Sequence, residues 1–196
     1  METKQQLESQ EQDQQPSTQP SSSELLIVPF VPEGDGFNAS DIFLRSLYQR
    51  TVDQNLAKIV FWEGTVESHQ QFVDMMKRNT VILSFAFAGN ECVGYAWLCP
   101  VSGNYAYPHF CFFRDSWGET SRKLGTMFLD QWFAFDDDEG GRLLDILFGI
   151  IPKFNVWAKN YVIEIGATMV GEVPGLFKNK HGDRDDGVIF YWSAVE

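Results

Sequence analysis

From Leu143 to Ile151 the chain is a near-continuous apolar run, broken only at Asp145. A run of that kind predicts a strand buried on both faces rather than one with a solvated side. Pro152 ends it. Asn155 then stands at the head of a segment that closes at Gly166, so a helix is expected between them, started by a side-chain cap and stopped by glycine. Thr168, Val170 and Val173 restart an extended segment that runs to Pro174-Gly175. A strand-helix-strand unit this tight places a ligand site near the strand's carboxyl end, where the helix begins.

The same reading carries through the rest of the chain. Met1 to Ser23 is rich in Gln, Ser, Glu and Pro and has Leu7 as its one large aliphatic residue after the start. It cannot bury enough apolar surface to offset its ordering entropy and is expected to be disordered. The folded domain is expected over 24–196, with a first strand at Leu25–Val28. Ser40 and Asp41 precede Phe43, Leu44, Leu47 and Tyr48 at helical spacing, and Val66, Phe72, Val73 and Met76 mark a second helix. Val81–Phe87 and Cys92–Leu98 read as strands joined at Ala88-Gly89-Asn90, and Ser102-Gly103-Asn104 turns into a third strand, Tyr105 to about Arg114. Pro108 within that strand predicts a bulge or an unpaired position. A helix through Leu124, Phe128, Trp132 and Phe135 follows, closed by the acidic turn Asp136–Gly141. A last strand, Val188–Val195, is reached through the polar loop Asn179–Gly187. The order of elements predicts an α/β (α+β) layer fold, a mixed sheet with helices against its faces.

Composition narrows the function. A net charge of −12 without any basic stripe argues against a nucleic-acid partner, and the same charge disfavours an anionic membrane while attracting a cationic substrate. Cys92, Cys99 and Cys111 are odd in number and lie in apolar, strand-like sequence, which points to free buried thiols in a reducing compartment. No apolar span reaches membrane length and the amino terminus lacks the pattern of a signal peptide, so a cytoplasmic protein is expected. The oxygen donors of His181–Asp186 have neither the length nor the spacing of a calcium loop, and with Arg184 and Lys180 among them they read as a solvated connection, so no metal is expected.

The carboxyl half, from about Tyr105 to Ser193, resembles the GCN5-related N-acetyltransferase superfamily. The resemblance rests on the strand Leu143–Ile151, Asn155, Gly166-Ala167, Val170-Gly171-Glu172 and the closing segment Asp186–Ser193. That last segment is similar to the final strand of the ribosomal-protein-acetylating branch, and the chain also resembles small acetyltransferase-like proteins of tailed phages. The resemblance implies the acyl-CoA N-acyltransferase fold, with a mostly antiparallel central sheet, and acetyl-CoA as cofactor. It further implies transfer of the acetyl group to a primary amine by direct attack in a ternary complex, with a cationic acceptor favoured by the acidic surface. The family's pyrophosphate site is a set of backbone N–H groups at the start of the central helix, which the resemblance assigns to Arg122, Gly125 and Thr126. Met127 departs from the pattern, where Gly or Ala is usual. Ser116 and Glu119 form a capping box that would start the helix near Trp117 and put Arg122 and Gly125 inside it; a start near Ser121 would restore the family arrangement.

An attacking amine must be neutral, so a base has to remove its proton. The strand before the central helix, where the family often carries a Glu, has none; His109 is its one ready titrating group and the candidate base, with a structural histidine as the alternative. Phe110 and Phe112, its neighbours on that strand, are assigned to the cofactor by the resemblance. The family's general acid is a Tyr seven residues after the leading Asn; that position is Val162 here, and Tyr161, about 100° around the helix, is the candidate. Asn155 is expected as helix cap and cofactor partner. These departures leave a second function class open, a binding or structural protein that keeps the fold without the chemistry.

Overall fold

The computed structural model describes residues 24–31, 37–137, 140–179 and 181–194. The expected tail, 1–23, lies outside them. The elements are β1 (Leu25–Pro29), α1 (Asp41–Asp53), α2 (Ala57–Val60), α3 (His69–Met76), β2 (Ile82–Ala88), β3 (Glu91–Ser102), β4 (Tyr105–Phe112), α4 (Glu119–Phe133), β5 (Ile146–Pro152), α5 (Val156–Glu164), β6 (Thr168–Lys178) and β7 (Arg184–Ser193).

The strands form one sheet in the order β1-β2-β3-β4-β5-β7-β6. Every neighbouring pair is antiparallel except β4 with β5. Alternation along the strands sends side chains to two cores. On β3, Ala96 and Leu98 face α4 and pack with Leu124, Phe128 and Trp132. Tyr95 and Trp97 face the other way, against Leu44 of α1 and Phe72 of α3. Burying each of these large side chains contributes roughly 1.5–3 kcal/mol, enough in sum to fix both helical layers on the sheet.

Side-chain caps start α1 where the sequence signals it and α3 only at His69, which leaves Val66 outside the helix. Ser40 accepts from Phe43 N at 3.1 Å, and Ser68 from Gln71 N at 3.2 Å. The four-residue α2 has neither a side-chain cap nor a buried residue, so nothing in the local pattern announces it. Pro108 pairs with Leu98 at the edge of a bulge, whose extra residue lies on β3 between Leu98 and Val101, and it has no partner on the β5 side. Two expectations are corrected. β7 begins at Arg184, inside the expected loop, because Arg184 and Asp185 pair with Lys178 and Phe177. β5 begins only at Ile146, and its Ile150 is 38% exposed rather than buried on both faces.

That last correction has a topological cause. β4 and β5 pair only through Tyr105 with Ile146 and Ala106 with Leu147. Beyond Ala106, β3 keeps hold of β4 as far as Phe112, and β7 keeps hold of β5 as far as Pro152. The two central strands therefore separate, and the sheet opens in its middle.

Candidate active site

The opening is a cavity of about 480 Å³ lined from both faces of the sheet, and α4 and α5 present their amino-terminal turns to it. At α4 the capping box does not form. Ser116 is buried, and its hydroxyl donates to Val93 O at 3.1 Å and Phe113 O at 2.8 Å, which turns it away from the helix. The cap is Gly118, at φ 100° and ψ −129°, a backbone state natural to glycine, and it offers no side-chain acceptor. The first helical amides, at Glu119, Thr120 and Ser121, thus have neither a helix carbonyl nor a capping side chain. Arg122 N is the first to be satisfied, by Gly118 O at 3.1 Å.

This start moves the anion-ready amides away from the positions expected from the motif. Arg122, Gly125 and Thr126 lie inside α4, so their N–H groups belong to the helix ladder. The Arg122 guanidinium lines the cavity but is paired with Glu164 of α5 at 3.2 Å. Thr126 is exposed, with its hydroxyl on Arg122 O at 3.2 Å. Gly125 is buried, and a Cβ there would run into the Tyr161 hydroxyl, so its role is to let Tyr161 approach α4. Met127 packs against the core beneath α4 and does not crowd the helix start.

Tyr161 and Asn155 come from α5. Val162, at the expected spacing, is buried in the core at the cavity wall, and Tyr161, one residue before it, lines the cavity too and supplies its hydroxyl. Its hydroxyl donates to Ser121 O at 3.1 Å, and burial pushes the phenol well above the usual range. Asn155 caps α5 by accepting from Ala158 N at 3.1 Å, and it lines the cavity as well. Phe110 and Phe112, ring centroids 6.2 Å apart and nearly parallel, form the wall on the α4 side.

His109 lies on the opposite face of β4, stacked on Trp97 at 4.8 Å with planes 8° apart. Its Nε2 is 3.0 Å from Cys99 O. A carbonyl can only accept, so Nε2 carries the proton and Nδ1 is left as an acceptor. The residue is exposed, but surrounding protein partly desolvates its ring, which lowers its pKa from the ordinary histidine value. The imidazole is therefore neutral at neutral pH and able to take a proton. Cys111, also on the cavity wall, is the reverse case: burial pushes its thiol up to about 11, which keeps it protonated and weakly nucleophilic.

A second cavity, about 470 Å³, adjoins the first on the His109 side and shares His109, Pro108, Ile150, Phe177 and Glu63 with it. Glu63 belongs to the turn after α2, and no sequence motif marks it. Nor does one mark Trp157, an α5 residue 73% exposed at the mouth of the first cavity, with its ring 6.0 Å from Trp117. The oxygen donors of the 181–186 segment serve the scaffold instead. Asp185 accepts from Phe154 N at 3.1 Å, and Asp186 accepts from Gly175 N at 3.0 Å.

A mostly antiparallel seven-stranded sheet that parts between two parallel strands, with an uncapped helix start beside the gap, defines the acyl-CoA N-acyltransferase fold. The chain has the fold of the GCN5-related N-acetyltransferases. Among solved structures it is similar to an acetyl transferase from Salmonella typhimurium that modifies the N-terminal serine of a 50S ribosomal subunit protein. The TM-score is 0.65 at 14% identity, over 88% of this chain and 96% of that one. It is also similar to spermidine N-acetyltransferase from Vibrio cholerae in complex with CoA and spermine, with a TM-score of 0.64 at 15% identity, over 86% of this chain and 95% of that one. A third likeness is to the ribosomal alpha-N-protein acetyltransferase RimL in complex with coenzyme A, with a TM-score of 0.66 at 13% identity, over 88% and 95%. No family model and no curated protein matches the chain by sequence.

Proposed function

We propose that this protein is an N-acetyltransferase that moves the acetyl group of acetyl-CoA to a primary amine by direct attack in a ternary complex. The observation that carries the reading is the two-sided opening between β4 and β5, with uncapped helix amides on one side and a neutral histidine on the other. The amides of Glu119, Thr120 and Ser121 at the start of α4 suit a pyrophosphate, since they supply unpaired donors at the positive end of a helix. Gly118 lets the ligand come close to the backbone there. Past Ala106 the edge of β4 has no strand on its β5 side, so an extended ligand arm can lie along it between Phe110 and Asn155.

In the transfer step the amine lone pair attacks the thioester carbonyl carbon, a C–N bond forms and the C–S bond breaks. His109 Nδ1 takes the proton the amine loses. Tyr161 is the candidate hydroxyl for the leaving sulfur, toward which it would turn from Ser121 O, where its one proton is donated. Its raised pKa keeps the phenol protonated, which makes full proton transfer uphill, so its contribution is a hydrogen bond to the developing thiolate. A relay through Cys111 is disfavoured by the same burial that protonates its thiol.

One observation favours a second reading, a non-catalytic binding or structural protein. Two cations of α4's first turns are already paired, Arg122 with Glu164 at 3.2 Å and Lys123 with Glu119 at 2.7 Å. The purified full chain, incubated with acetyl-CoA and a panel of primary amines, is expected to release thiol above the hydrolysis background and to yield an amine heavier by one acetyl group. Binding of acetyl-CoA with no thiol release for any amine would favour the second reading.

A further inference from the structure

The second cavity has a composition of its own. Tyr107, Phe148, Leu176 and Phe177 give it an apolar and largely aromatic wall, and Glu63 is its one carboxylate. Among the described residues Glu63 has no ion-pair partner, although it is exposed and free to choose one. Its turn is held in place from behind. Trp62 packs on Phe154 at 5.4 Å and on Phe177 at 6.2 Å, which ties the turn to α5's approach and to β6. Gly64, at φ 80°, closes the turn by donating to Phe61 O at 2.9 Å. Other carboxylates of the neighbouring strands are committed: Glu172 and Asp186 both contact Lys153, at 2.6 and 3.5 Å.

We propose that this cavity holds the acceptor and selects a primary monoamine with an aromatic body, its ammonium met by Glu63 and its ring by Tyr107, Phe148 and Phe177. The inference rests on the acetyltransferase reading and names its substrate class. One carboxylate matches one ammonium; the further ammonium groups of a polyamine would enter an apolar wall without a counter-charge, where desolvation opposes them. An aromatic ring instead finds edge and face partners at the separations the wall already uses, 6.1 Å between Tyr107 and Phe148. His109 borders both cavities, so an amine seated here and an acetyl donor in the first cavity would meet beside it. The protein's net charge of −12 draws any cationic amine toward it but does not discriminate among them. Selection is left to the wall.

The test is binding of phenethylamine and of spermidine to the full chain by calorimetry, without acetyl-CoA, for the wild type and Glu63→Gln. Phenethylamine is expected to bind at least about tenfold tighter than spermidine, and Glu63→Gln to weaken it by about ten- to a hundredfold, the range of a lost charge-assisted contact. The exposed position of Glu63 leaves the melting temperature of the variant unchanged. Spermidine binding as tight as phenethylamine, or indifference to Glu63→Gln, would overturn the inference. Acetyl transfer to spermidine but not to phenethylamine would also overturn it while leaving the acetyltransferase reading intact. Glu63-dependent phenethylamine binding without acetyl transfer would do the opposite.

Discussion

Replacing His109 by Gln is expected to lower kcat/KM for acetyl transfer by about 10²- to 10⁴-fold near neutral pH, the usual range for a positioned base. The glutamine amide can still donate to Cys99 O, so the loss isolates the free Nδ1 and not the anchoring bond. The sign of the pH dependence follows from the lowered pKa of His109. In the wild type the base is protonated and inactive below that pKa, and kcat/KM rises through it, at a pH under the ordinary histidine value of 6.5. In the variant nothing but the amine's own ionisation supplies a neutral nucleophile. Its rate should climb steadily toward the pKa of the acceptor, about 10.4 for a lysine-like amine, and the gap to the wild type should narrow as it does. A small loss that is equal at every pH would make His109 a structural residue stacked on Trp97.

Trp132→Ala is expected to cost about 3–5 kcal/mol of stability, the range for emptying a large aromatic site in a core. Trp132 is fully buried on α4, stacked on Phe128 at 5.4 Å, and its ring lies 5.4 Å from Phe110 on β4. It is thus the pin between the helix that offers the free amides and the strand that borders the cavity. For a chain of this size the melting temperature should fall by roughly 6–20 °C. Acetyl-CoA affinity should weaken as well, although Trp132 is not part of the cavity wall. Calorimetric unfolding checks both, with Trp157→Ala as the contrast. That ring is 73% exposed, and its removal should change stability by no more than about 0.5 kcal/mol. A shift below 1 kcal/mol for Trp132→Ala would mean that the α4 layer relaxes into the hole.

Local signals were legible where local chemistry decides the outcome. Asn155 caps α5 as its side chain and the following helix period suggest, and Ser40 does the same for α1. The start of α4 was not legible, because Ser116 has two uses. Its hydroxyl reads as a cap in sequence, but in the fold it is anchored on Phe113 O and Val93 O, and the extended Trp117 and Gly118 separate it from the helix. The helix then begins at Glu119, between the two starts the sequence allows, and the free amides shift with it. The role of Gly125 was hidden for a similar reason, since only the packing of α5 on α4 brings the Tyr161 hydroxyl against it. Glu63 was out of reach altogether. Its placement depends on Trp62 meeting Phe154 and Phe177, from parts of the chain far away in sequence. The parting of β4 from β5 is likewise a property of the whole sheet, and Leu143–Ile151 read alone suggests a strand sheathed on both sides.

Titrating the full chain with acetyl-CoA in a calorimeter tests the central claim most directly, because the proposed cofactor site joins the cavity, the uncapped start of α4 and the open edge of β4. The expected result is a saturable single-site isotherm in which coenzyme A competes. It should be accompanied by stabilisation of about 2.7 kcal/mol at a ligand concentration a hundredfold above Kd. Absence of both heat and stabilisation at millimolar acetyl-CoA would contradict the claim and leave a protein that has the acyltransferase fold without its cofactor.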